Sequence, residues 1–171
     1  INKVERSLIR VEADEVTYNL HIMIRYELEC AMLTGELAVM DLPEAWNAKY
    51  EAYLGLTPPT DADGCLQDVH WSMGALGYFP TYSMGNILSY QIWDALKADI
   101  WDALKADIPN ADELMANGHF AEILEWLRSK IYQHGSRYTP KELITQATGK
   151  PMDASHYLNG ITAKYRAIYN L

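Results

Sequence analysis

The sequence predicts an all-α protein, a helical bundle-like array. Three observations carry that expectation. Apolar residues recur every three to four positions through most of the 171 residues, helix start and stop residues bracket those stretches, and no segment alternates apolar and polar residues as a strand or hairpin would. A chain of this length fits one domain, expected over residues 1–171.

From Val11 to about Thr34 apolar residues occupy most of a helical cylinder, and Gly35 suits its end because glycine accepts the left-handed conformation of a helix stop. Placed on a helix at 100° per residue, Arg10, Asp14, Tyr18, His21 and Arg25 fall within a strip of roughly 80°. Such a polar seam on an otherwise apolar helix faces water, a paired partner or a site.

The second helix fits "DLPEAWNAKYEAYLG", with Asp41 and Glu44 spaced as a capping box and Gly55 as stop. "LTPPTDADG" is then a loop, because consecutive prolines lack backbone donors. If residues 65–76 are helical, Leu66, Val69, Met73 and Leu76 share a packing face while Gln67, His70, Trp71 and Gly74 share the opposite one. That opposite face is either a tight helix junction with His70 satisfied in the core or a surface that presents donors and acceptors, with Tyr78 and Tyr82 placing phenols nearby.

Pro80 suits the first turn of a long helix through Tyr90. "WDALKADI" at 93–100 recurs unchanged at 101–108, a tandem duplication. Eight residues advance a helix by about 800°, so the second copy faces roughly 80° from the first. Trp101, Leu104 and Ile108 therefore do not continue the face of Trp93, Leu96 and Ile100. A longer helix to Pro109 is expected, since Ala, Leu and Lys are strong helix formers. Further helices fit "HFAEILEWLRSKIYQHG", "TPKELITQATGKP" with a capping box from Thr139 to Glu142 and Pro140 at the first position, and Ala154 to Tyr169.

The formal charge of −9, without a Lys/Arg cluster, argues against nucleic acid and anionic membranes. No apolar run approaches the ~20 residues of a membrane span. Cys30 and Cys65 are too few and too widely spaced for a disulfide framework or zinc knuckle, and read as reduced thiols of a cytoplasmic protein. The opening at Ile1, without Met, is expected of an interior or trimmed piece of a longer chain. None of the five histidines is followed by Glu, so the sequence given carries no H-E-x-x-H, and it carries no G-x-S-x-G or phosphate loop. His119 and Glu122 lie one helical turn apart, but two ligands make a surface contact rather than a metal site.

"IRVEAD" at 9–14 and "GCLQDVHW" at 64–71 match the I-R-x-x-A-D and G-x-x-Q-D-x-H-W motifs of the carboxypeptidase Taq family of zinc metallocarboxypeptidases, and the chain resembles the C-terminal third of a member throughout. The resemblance implies a mostly helical, cytoplasmic, usually dimeric exopeptidase that removes C-terminal residues from peptides. Its zinc ligands and general base lie in motifs upstream of this stretch. The implied roles here are on the substrate side: Arg10 binds a carboxylate or organises the site with Asp14 orienting it, Gln67, Asp68 and His70 line the cleft, and Tyr78 and Tyr82 bind substrate or stabilise the oxyanion. The implied cofactor is none within this chain, zinc belonging to the whole enzyme. The implied partners are a peptide C-terminus and either a second copy or the remaining N-terminal portion. Two readings follow: a substrate-side peptidase segment that is inactive alone, or a self-associating helical module derived from one.

Overall fold

A computed structural model describes residues 2–103 and 111–171, and every regular element among them is helical. Seven α-helices follow in order: α1 (Tyr18–Thr34), α2 (Leu42–Leu54), α3 (Phe79–Ala103), α4 (Ala111–Ala116), α5 (Ala121–Lys130), α6 (Pro140–Thr148) and α7 (Ser155–Tyr169). Short 3-10 turns lie at Arg10–Glu12, Val39–Asp41 and Tyr132–His134. The chain divides into two compact units, Ile1–Met84 and Gly85–Leu171. Among the described residues no helix is long and apolar enough to cross a membrane.

In the first unit α1 packs on α2. Leu42, Trp46, Tyr50 and Leu54 recur every fourth residue of α2 and so fall on one face, where they meet Ile24 and Leu28 of α1 and Cys65 of the following loop. Gly35 and Gly55 end these helices with φ of 79° and 63°, the left-handed geometry that glycine takes without a Cβ penalty. Close approach matters at Gly55 as well, because a Cβ there would lie 2.5 Å from the Arg6 guanidinium, which donates to the Leu54 carbonyl.

Two expected features of this unit differ. The first helix does not begin at Val11. Residues 10–12 form a 3-10 turn, and α1 starts only after Asp14, whose Oδ1 accepts the backbone N–H groups of Val16 and Thr17 at 2.8 and 2.9 Å. A carboxylate that satisfies these early donors competes with continuous helix and starts a new one. Asp41 makes no side-chain cap to α2, because it closes the preceding 3-10 turn instead.

The larger departure is residues 65–76, which form successive turns rather than a helix. The face expected to pack is outside: Leu66 is 70% exposed, Val69 61%, Met73 75% and Leu76 52%. Gln67, Asp68, His70 and Trp71 turn inward. Left-handed Gly74 and Gly77, both at φ 74°, hold the loop out of helical geometry.

In the second unit Leu96 of α3, Leu114 of α4 and Trp126 of α5 form the core. Trp126 Nε1–H donates to Asp99 at 3.0 Å, and Lys130 pairs with the same carboxylate at 3.1 Å. Of the apolar residues at helical spacing here, Ile123, Leu127 and Ile131 pack against that core, whereas Phe120 and Leu124 are exposed and Trp126 is the one buried. Buried Gln91 ties α3 to the end of α6 and the turn after it. Its Nε2 donates to Thr148 Oγ1 at 2.9 Å and the Pro151 carbonyl at 3.0 Å, and its Oε1 accepts from Asp153 N–H at 2.9 Å. The capping box of α6 forms as the sequence predicts, with Thr139 and Glu142 each accepting the other's backbone N–H. Helix α3 runs through the first octad into the second as far as Ala103; the rest of the expected extension to Pro109 lies outside the described residues.

Tyr90 of α3 stacks edge-on against Tyr157 of α7, with ring centroids 5.3 Å apart. Gly160, inside α7, makes room for that ring: a Cβ there would stand 2.3 Å from Tyr90 Cδ1. Gly to Ala inside a helix ordinarily gains up to about 1 kcal/mol. Here overpacking outweighs that gain, and Gly160→Ala is expected to lower stability by ~1 kcal/mol or more in urea unfolding. Gly160→Ala with Tyr90→Ala is expected to recover part of the loss.

Candidate functional site

The polar residues of the two sequence motifs converge in the first unit. Arg10, in the 3-10 turn, is 7% exposed; Arg25, on α1, is wholly buried. Both reach one carboxylate on the 64–78 loop. Arg10 donates to Asp68 Oδ1 through Nε at 3.1 Å and Nη2 at 2.7 Å, and Arg25 Nε donates to Asp68 Oδ2 at 2.6 Å. Burial alone would raise the Asp68 carboxyl, but the hydrogen bonds and charge of Arg10 and Arg25 outweigh it and hold it below the ordinary carboxylate value.

Arg10 Nη1 donates to Tyr18 Oη at 2.9 Å. The Tyr82 ring lies 5.0 Å from the guanidinium carbon, within cation–π range. Of the five N–H donors of a guanidinium, three are thereby engaged on Arg10, leaving one on each terminal nitrogen. A positive charge with a donor left on each terminal nitrogen suits a carboxylate, whose oxygens accept such hydrogen bonds.

Gln67 fixes the backbone around Arg10. Its Oε1 accepts the Arg10 N–H at 2.9 Å while Nε2 donates to the Leu8 carbonyl at 3.0 Å and to that of Asp63 at 3.2 Å. Glu29, one turn beyond Arg25, is 4% exposed and accepts from Trp71 Nε1–H at 2.6 Å and from the Gly77 N–H at 2.5 Å. The loop is thus pinned at Gln67, Asp68, Trp71 and Gly77 by groups from other elements.

His70 lies over Phe79, with ring centroids 4.4 Å apart, and its Nε2 is 3.0 Å from Tyr82 Oη. Its Nδ1 has no hydrogen-bond partner and faces Asp68 Oδ1 at 3.9 Å. A neighbouring carboxylate favours a proton on Nδ1, which leaves Nε2 to accept the Tyr82 proton. In that tautomer the Tyr82 proton is committed to His70, and Tyr82 can donate elsewhere only after the His70 ring changes tautomer. Tyr78 is 49% exposed and packs edge-on against Tyr82 at 5.5 Å.

Six of the seven residues singled out from sequence, Arg10, Gln67, Asp68, His70, Tyr78 and Tyr82, join this cluster directly. Asp14 does not orient Arg10. Its carboxylate starts α1 and accepts the Glu5 N–H at 2.8 Å, and Asp68 is what holds Arg10. Glu29 and Tyr50 were not legible as site residues, because their partners lie 17–48 positions away. Tyr50 Oη sits 3.1 Å from His21 Nδ1, 3.2 Å from Arg25 Nη1 and 3.1 Å from the Leu8 carbonyl. His21 is fully buried; burial, then the charges of Arg25 and Arg10, lower its pKa to about 4.

Among the described residues no three His, Cys, Asp or Glu side chains are grouped to hold a metal. The described residues do not fit a zinc site.

A model of the carboxypeptidase Taq (M32) metallopeptidases matches residues 1–165. Carboxypeptidase 1 of Bacillus subtilis is 44% identical over 171 residues, which are 100% of this chain and 32% of that protein. Thermostable carboxypeptidase 1 of Thermus thermophilus is 45% identical over 169 residues, 99% of this chain and 32% of that protein. Among solved structures, an M32 carboxypeptidase from Deinococcus radiodurans is similar with a TM-score of 0.92 at 46% identity, covering 100% of this chain and 33% of that one. Metallocarboxypeptidase 1 of Trypanosoma cruzi gives 0.88 at 39% identity, covering 96% and 33%. The chain therefore spans about a third of the length of the relatives it matches.

Two stability predictions follow from the geometry. Asp68→Asn leaves two nearly buried guanidiniums without their carboxylate, and a loss of ~3–5 kcal/mol in chemical unfolding is expected. The Asp68 contribution is present above the unfolded carboxyl pKa and is lost as pH falls through the lower folded value. For His21 the folded pKa of about 4 lies below the ordinary 6.5, so between them the unfolded state binds the extra proton and stability falls as pH drops from 6.5 towards 4. The loss is on the order of 3 kcal/mol. His21→Gln is expected to flatten that part of the pH–stability curve, and an unchanged curve would contradict the assignment.

Proposed function

Since the chain belongs to the carboxypeptidase Taq (M32) metallopeptidase family, we propose that it forms the substrate-side wall of a metallocarboxypeptidase and binds the C-terminal carboxylate of a peptide through Arg10. The observation that carries this reading is the Arg10 guanidinium, held by Asp68 at Nε and Nη2 and by Tyr18 at Nη1, with one N–H on each terminal nitrogen unassigned. An exopeptidase that acts at a C-terminus must distinguish the terminal carboxylate from an internal amide. A preorganised fork does so, because an amide carries no charge and offers only one acceptor oxygen to it.

The other residues take supporting roles. Asp68 and Arg25 fix the orientation of Arg10, Gln67 fixes its backbone, and Tyr18 positions its free end. His70 sets the direction of the Tyr82 hydroxyl, so that its proton is committed to His70 in one tautomer and available to the substrate in the other. Water activation is assigned to the zinc of the whole enzyme. A catalytic zinc needs about three protein ligands and an open position, and on this proposal they belong to the part of the whole enzyme outside this stretch; that the chain spans 32% of its relatives supports the reading. Alone, the chain binds a peptide tail and does not cut it.

Calorimetric titration with a short peptide in its free-acid and C-terminally amidated forms tests the binding role. The free acid is expected to bind at least ~10-fold more tightly, about 1.4 kcal/mol. Arg10→Lys keeps the charge but loses the fork, and should erase most of that difference. Equal affinity for acid and amide would contradict the proposal. With zinc added, no release of a C-terminal residue from a blocked dipeptide is expected, and chelator-sensitive release by the pure chain would sink the claim of inactivity.

A further inference from the structure

The sequence holds two Asn-Gly dipeptides, Asn117-Gly118 and Asn159-Gly160. In such a pair no Cβ on the second residue hinders its backbone nitrogen from reaching the asparagine side-chain carbonyl carbon. Both asparagines are exposed, so exposure does not separate them. Their backbones do. Asn159 and Gly160 lie inside the 15-residue α7, where Tyr157 and Tyr165 are buried and Gly160 lies against the Tyr90 ring. There the Gly160 N–H is directed along the helix, and turning it towards the Asn159 side chain requires unwinding a packed element.

Asn117 and Gly118 instead close α4, a helix of 6 residues. The closure is a Schellman turn. Gly118 N–H donates to the Met115 carbonyl at 3.0 Å, His119 N–H donates to that of Leu114 at 2.8 Å, and Gly118 is left-handed at φ 73°. Asn117 Nδ2 donates to the Glu113 carbonyl at 2.9 Å. All these bonds are local, and residues 115–119 are exposed. A helix this short is marginal by itself, and Leu114 is what ties it to Leu96 and Trp126. The turn therefore opens far more readily than α7.

We propose that Asn117 is a self-modifying site: the fold leaves Asn117, and not Asn159, open to deamidation, and the isoaspartate product releases the end of α4. The Gly118 nitrogen attacks Asn117 Cγ. A succinimide ring closes as Cγ–Nδ2 breaks, and Nδ2 leaves as ammonia with the Gly118 proton. Water, the only co-reactant, then opens the ring. Attack at Cγ breaks its bond to the Gly118 nitrogen and gives aspartate. Attack at the Asn117 backbone carbonyl carbon breaks that peptide link and leaves Gly118 joined through the side-chain carbonyl, which is isoaspartate. Isoaspartate inserts a methylene into the backbone, so the Gly118 and His119 N–H groups no longer meet the Met115 and Leu114 carbonyls. Either product also places a carboxylate at the C-terminal end of α4, where the helix dipole disfavours it.

The test incubates the chain at mildly alkaline pH, with and without concentrated urea, and follows both asparagines by peptide mapping and mass spectrometry. In the folded chain Asn117 is expected to react at least ~10-fold faster than Asn159, because a short surface turn opens more often than a packed helix. In urea the two should react at similar rates, since the dipeptide is the same. The purified isoaspartate form should lose hydrogen-exchange protection at Gly118 and His119 while α7 keeps its own. Asn117→Gln should retain that protection through the same incubation. No product at Asn117, equal or slower reaction there in the folded chain, a preference that persists in urea, unchanged protection in the isoaspartate form, or loss of protection in the Asn117→Gln chain would each overturn the proposal.

Discussion

One carboxylate shared by two guanidiniums organises the first unit. Asp68 sits between Arg10 and Arg25, at 2.7 and 2.6 Å, with side chains that are 11%, 8% and 0% exposed. Removing three charges from water costs several kcal/mol per ion, and further hydrogen bonds, from Arg10 to Tyr18 and from Arg25 to Tyr50 and the His21 carbonyl, help offset that cost although Arg25 Nη2 has no partner. Its consequence is positional. The 64–78 loop has no helix or strand of its own, so its path is set by where Asp68, Gln67, Trp71 and Gly77 are held.

This arrangement also explains how a nearly buried arginine can serve a ligand. Free in solution, an arginine side chain must give up considerable rotamer freedom to bind a carboxylate. Arg10 has already given it up to Asp68, Tyr18 and the Tyr82 ring. The proposed ligand meets an oriented pair of donors, and preorganisation of this kind supports selectivity more than raw affinity.

The helices were legible because their signals are local. Gly35, Gly55 and Gly149 stop their helices in left-handed geometry, and Thr139 with Glu142 starts one, each within a few residues of sequence. The 65–76 loop was misread for the opposite reason. Leu66, Val69, Met73 and Leu76 mimic a helical face, but the groups that decide the fold there, Arg10, Arg25 and Glu29, lie 42–58 positions away. Asp14 misled in the same manner: its motif suggested a partner for Arg10, whereas its local geometry is that of a helix start. Exposure of the apolar loop side chains reverses the usual rule because satisfying buried charge outweighs burying a few methyl groups.

Family membership and fold stand on the whole length of the chain, whereas the site stands on this single ionic junction. Amide hydrogen exchange tests it most directly. In Asp68→Asn, protection across residues 64–78 should collapse towards that of an unstructured chain, while α5, α6 and α7 of the second unit keep theirs. Unchanged protection in 64–78 would mean that something other than the shared carboxylate holds the loop, and the account of the site would fail with it.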